Sequence, residues 1–78
     1  MKIYVDVIVL NNKEGQVKPL AIVWANGVEY SVDKIFQITR AASTIAGGTG
    51  IRYSCQIQGQ RRYLFLEDDR WFIEKKES

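Results

Sequence analysis

The chain contains no histidine, one cysteine and one proline. Each shortage removes a class of chemistry. Without histidine there is no Ser-His or Cys-His pair to activate a nucleophile, and no side chain with an ordinary pKa near neutrality. Cys55 is the lone thiol, so a disulfide within the chain is excluded, and a structural zinc site lacks its ligands. One thiol without a mate fits a reducing compartment. Cys55 stands two residues from Tyr53 and from Ile57, and reads as a small buried hydrophobe.

Long apolar runs are also missing. None approaches the ~20 residues of a membrane span. The opening "MKIYVDVIVLNN" is broken by Asp6 and followed by no small-residue cleavage site, so it does not read as a secretory signal. The expectation is a soluble cytoplasmic protein, with no cofactor, no metal and no membrane partner. Acidic residues are absent from one long stretch. Residues 34–66 carry Lys34, Arg40, Arg52, Arg61 and Arg62 against no Asp or Glu, a local charge of +5. Residues 1–33 sum to −1 and residues 67–78 to −2, which gives the net +2. Such asymmetry points to an anionic partner. The isoelectric point of about 8.8 falls just under that of a committed nucleic-acid domain.

At 78 residues the chain is one domain, 1–78, with a charged end at 74–78 that is expected to fray. A core this small supplies only about 3–5 kcal/mol of net stability. Good packing or association with a second copy must do what disulfides and metals cannot.

What is present is alternation with a period of two. Ile3, Val5, Val7 and Val9 share one face of the first segment. "NNKEGQ" then reads as a four- or five-residue hairpin loop with Gly15 at positive φ. Leu20, Ile22 and Trp24 alternate with Ala21, Val23 and Ala25, and Pro19 belongs at a strand start or an edge. Asn26-Gly27 predicts a two-residue type I′ hairpin turn into Val28, Tyr30 and Val32. Residues 35–42 are read as strand, because Ile, Phe and Thr dominate, with a short turn or single helical turn allowed before the glycines and a partly helical 35–46 as the alternative. Ile51, Tyr53, Cys55 and Ile57 face inward; Arg52, Ser54, Gln56 and Gln58 face water. Gly59-Gln60 fits a type II′ turn. The next segment sets Tyr63 and Phe65 against Leu64 and Leu66, and predicts a strand that is central or covered on both faces. Asp68-Asp69 turns into a last strand carrying Trp71 and Ile73. The expected fold is all-β: an antiparallel meander of about six strands curled into an SH3-like barrel or a folded-over sheet.

In "VWANGVEYSVDKI", "GGTGIRY" and "RWFIE" the chain resembles a group of short bacterial proteins of unknown function. Their shared features are an aromatic-x-x-Gly-x-x-Tyr-x-Val hairpin, a central Arg-Tyr strand and an aromatic-ended last strand. The resemblance implies an all-β fold and carries no catalytic residue and no ligand.

"TIAGGTGIRY" concentrates Gly47, Gly48 and Gly50. It is not a P-loop, because no lysine follows and the next segment is a strand. The dinucleotide fingerprint fails too, since Tyr53 stands where its third glycine belongs. The glycines read as a sharp turn or bulge, with an anion-binding nest beside Arg52 as the alternative. Glu67, Asp68 and Asp69 read as a solvated turn. No catalytic set emerges. The leading expectation is a non-enzymatic interaction module whose partner is another protein or a second copy of itself. The alternative is a weak single-stranded nucleic-acid binder using Arg40, Arg52, Arg61 and Arg62, with aromatics beside them.

Overall fold

The computed structural model describes residues 1–42 and 49–74. It is all-β, with strands β1 (Lys2–Asn11), β2 (Val17–Val23), β3 (Glu29–Ala42), β4 (Thr49–Ile57), β5 (Gln60–Glu67) and β6 (Arg70–Glu74). Each pairs antiparallel with the next, and β6 returns to β1, closing a small barrel consistent with the SH3-like kind. Two strands serve two sheets. The first half of β1 pairs with β6 and the second half with β2. β3 pairs with β2 through Glu29, Tyr30 and Ser31, then with β4 from Val32 onward. Register shifts follow these transfers, between Ile8 and Val9, between Val32 and Lys34, and between Ile35 and Gln37. Bulges of this kind bend a strand and let it turn a barrel corner.

The alternation places the core as expected. Ile22, Tyr53, Cys55, Ile57 and Leu64 form the buried cluster, with Val5, Val7, Trp24, Tyr30 and Trp71 among the half-buried residues around it. The Tyr53 hydroxyl donates to the Val17 carbonyl at 2.8 Å and so ties β4 to the start of β2. Burial pushes the Cys55 thiol pKa up, and the Tyr53 phenol too, where the nearby Arg40 guanidinium partly opposes it. In the unfolded chain both groups lose their protons at ordinary values. Above those values the unfolded state ionises first, so stability is lost as pH rises. Resistance to urea unfolding is expected to weaken progressively above about pH 9, where the thiol and then the phenol ionise in the unfolded chain. Part of that loss should vanish in Cys55→Ala.

The turns hold two corrections. Asn26-Gly27 does not form a two-residue type I′ turn. Gly27 donates to the Trp24 carbonyl at 2.8 Å and Trp24 donates to the Val28 carbonyl at 2.9 Å. The loop is therefore Ala25, Asn26 and Gly27, with only Gly27 at positive φ, +84°. The reason is register. Ile22 must face Tyr30 for both to point inward; a two-residue loop would set Ser31 there and turn Tyr30 outward. Asn26 supports the longer loop by accepting the Val28 N–H at 3.0 Å. Likewise Ile57 pairs with Gln60, so Gln58 and Gly59 form the β4–β5 turn with φ of 53° and 73°, a type I′ pattern rather than a type II′ turn at Gly59-Gln60. Asp68 and Asp69 turn as expected, both at positive φ. The first loop spans five residues, with Gly15 at φ 82°. Glu74 stays in β6, paired with Lys2. β5 is central in the sheet, between β4 and β6, but it is not covered on both faces, because Tyr63 stands exposed on its outer side.

Candidate functional site

Opposed residues on antiparallel strands point to the same side of a sheet. The register therefore sorts every candidate residue. Gln56 opposes Arg61, Ser54 opposes Tyr63 and Arg52 opposes Phe65, all on the outer face. On β3, Lys34 opposes Gln56 and Gln37 opposes Ser54, so they join that face. Phe36 is the extra residue of the second β3 bulge and also lies exposed. The outer surface of β3, β4 and β5 thus carries Lys34, Arg52 and Arg61 with Phe36 and Tyr63 exposed between them.

These side chains are layered on one another. The Arg61 guanidinium reaches back across β4 to lie 4.7 Å from the Phe36 ring centre, and its Nε donates to Ser54 Oγ at 3.3 Å on the way. This is why Ser54, expected in water, is buried. Lys34 Nζ lies 5.1 Å from the same ring. Arg52 lies 5.0 Å from the Tyr63 ring, which remains 50% exposed. Further round the barrel, Lys2 lies over Phe72 at 4.6 Å and Arg70 over Tyr4 at 3.8 Å. A chain of this length ordinarily holds about one such cation–aromatic pair, so this surface is enriched in them. The two halves differ in charge. Around β6 and β1, Glu67 and Glu74 balance Lys2 and the N-terminal ammonium, at 3.4 and 3.5 Å. The β3–β5 half carries no carboxylate from residue 34 to 66, and Asp33, the extra residue of the first β3 bulge, stands exposed at its border.

The four arginines singled out from sequence do not form one site. Arg52 and Arg61 share the outer face. Arg40 opposes Ile51, and Arg62 opposes Cys55, so both lie on the inward side of the sheet. Arg40 acts on the Tyr53 phenol at one end of the barrel; Arg62 stands at the other, with Nη2 donating to Gln60 Oε1 at 2.6 Å. Of the three glycines, Gly47 and Gly48 lie outside the described residues. Gly50 sits in β4 opposite Glu67, and a Cβ there would lie 3.0 Å from Glu67 Cγ. Its role is to make room for that side chain, and a carboxylate covers it rather than an open nest.

Sequence reasoning missed Lys34 and Phe36 as partners of the arginines. Simple alternation groups Phe36 with Ile38 and Arg40, but the bulge after Ile35 sends Phe36 outward and returns Ile38 to the inward side, opposite Tyr53. No glycine marks that bulge. The Phe65, Phe72 and Tyr4 row was readable in part, since the Asp68-Asp69 turn sets Phe65 against Phe72.

Among the described residues no group of acidic, histidine or cysteine side chains is placed to hold a metal, and no helix is long and apolar enough to cross a membrane. A scan against protein-family models, a search of curated proteins and a search of solved structures each found no match.

Proposed function

We propose that this protein is a non-enzymatic binding module that takes single-stranded nucleic acid on the outer face of β3, β4 and β5. The observation that carries the reading is the interleaving of Lys34, Arg52 and Arg61 with the exposed rings of Phe36 and Tyr63, on a patch whose carboxylates stand only at its borders, Asp33 beside Lys34 and Glu67 at the end of β5. Single strands offer unstacked bases, which lie on aromatic faces and on guanidinium planes, while their phosphates meet the cations between. Gln37 and Gln56 add hydrogen-bonding groups on the same rows. Stacking is tolerant of base identity, so the binding is weakly selective and salt-sensitive.

Fluorescence anisotropy with labelled oligo-dT and oligo-U tests this. With three phosphate contacts, the slope of log K against log salt is expected near about −2 for a single strand. Binding that is absent at low ionic strength, or indifferent to salt, overturns the reading.

A second reading, self-association, has its own observation. Ile8, Leu10 and Leu20 are 40%, 50% and 40% exposed on the β1–β2 hairpin. In a barrel with so small a core, covering this patch with a second copy would add stability. Light scattering after size exclusion is expected to give about twice the chain mass of 9.0 kDa. A monomer at high micromolar concentration contradicts it.

A further inference from the structure

The barrel is closed but not sealed. Pairing between β5 and β6 runs only over Phe65↔Phe72, Leu66↔Trp71 and Glu67↔Arg70. Beyond Phe72, Ile73 and Glu74 turn to β1, pairing with Ile3 and Lys2. Residues 60–64 of β5 keep β4 on one side and, among the described residues, no strand on the other. The opened seam gives access to the interior through a cavity of about 740 Å³. Its walls are mainly apolar: Ile22, Trp24, Tyr30, Ile57 and Ile73, with Ile3 at the edge. The volume falls in the range of about 300–1,000 Å³ typical of small-molecule sites, which combine apolar walls with a few placed polar groups.

The polar groups here are one-sided. Gln60 opposes Ile57 and Arg62 opposes Cys55, so both extend on the inward side of β5 and meet at the opening. Arg62 spends one donor on Gln60 Oε1 at 2.6 Å. A guanidinium has five N–H donors in a planar fork suited to a carboxylate, and among the described residues Arg62 has no ion pair. The one carboxylate on the wall, Glu74, is already engaged by the N-terminal ammonium at 3.5 Å.

We propose that this opening binds an amphipathic carboxylic acid, its apolar body lodged among Trp24, Tyr30, Ile57 and Ile73 and its carboxylate on Arg62. Charge complementarity selects this occupant: an apolar slot rimmed by an unpaired guanidinium matches a molecule with one anionic end. The apolar walls and Arg62 lie on the inward side of the sheet, and the mouth of the cavity also reaches Arg61, Tyr63 and Phe65 of the outer face.

Decanoate and decanol provide the test, with Trp24 fluorescence read in a Trp71→Phe background so that a single tryptophan reports. Both should produce a saturable change, with decanoate about tenfold tighter, the worth of one charged hydrogen-bonded contact. Arg62→Gln should bring the acid down to the alcohol's affinity and leave the alcohol unchanged. Shortening the chain to hexanoate and hexanol should weaken both by at least about tenfold, because four methylenes leave the apolar walls. No saturable response to decanoate, an acid-to-alcohol ratio untouched by Arg62→Gln, or affinity indifferent to chain length overturns the proposal.

Discussion

Phe72→Ala is expected to destabilise the barrel by about 3–5 kcal/mol, the range for removing a buried phenylalanine. The size is not obvious from its position, because Phe72 points to the outer side of the sheet. Yet it is only 2% exposed. Phe65 stacks on it at 5.0 Å with 7° between planes, Tyr4 meets it edge-on at 5.7 Å, and Lys2 lies over its face. The three rings stand on β5, β6 and β1, opposed in register, so this cluster holds the seam that closes the barrel. With only about 3–5 kcal/mol available to so small a domain, the alanine variant should be largely unfolded at room temperature. Phe72→Leu, which keeps most of the apolar volume, should remain folded. Urea unfolding followed by tryptophan fluorescence checks both. A cost below about 1 kcal/mol for the alanine change, the size of an ordinary point substitution, would mean that the outer ring cluster does not hold the seam.

Tyr63→Ala is expected to weaken oligo-dT binding by about 5- to 150-fold, corresponding to about 1–3 kcal/mol of base stacking. Tyr63 is half exposed and outside the core cluster, so the melt should barely move. Tyr63→Phe should bind nearly as the parent does, because the ring rather than the hydroxyl carries the contact. Arg52→Ala and Arg61→Ala should each reduce the salt slope by about one unit or slightly less. Arg40→Gln and Arg62→Gln should leave it unchanged, because the register puts them on the other side of the sheet. Equal losses from all four arginines would restore the single basic face expected from sequence and contradict the division drawn from the structure.

The strands and their inward faces were legible because alternation is a property of single residues. Ile51, Tyr53, Cys55 and Ile57 need only their own order to be sorted, and they lie inside as read. Turns were legible in place but not always in type. Asn26-Gly27 has the local preference for a two-residue turn, yet the pairing of Ile22 with Tyr30 imposes a three-residue loop. That pairing is a tertiary demand, and it overrides local chemistry. The β3 bulges were not legible at all. They arise where one strand passes from β2 to β4, and no glycine or proline marks the spot. Missing them carried Phe36 to the wrong set of neighbours, whereas Arg61 and Arg62, adjacent in one strand, were separable by alternation alone. The seam beside β5 was hidden for a similar reason: how far β5 and β6 pair depends on where β6 turns toward β1, a relation between opposite ends of the chain.

The central claim, that the outer face of β3–β5 is the binding surface, is tested most directly by amide shift mapping. A ¹⁵N-labelled sample would be titrated with oligo-dT at low salt. Perturbations are expected at Lys34, Phe36 and Gln37, at Arg52 and Ser54, and at Arg61 and Tyr63, with the β1–β2 hairpin silent. An unchanged spectrum, or shifts confined to that hairpin, would contradict the claim.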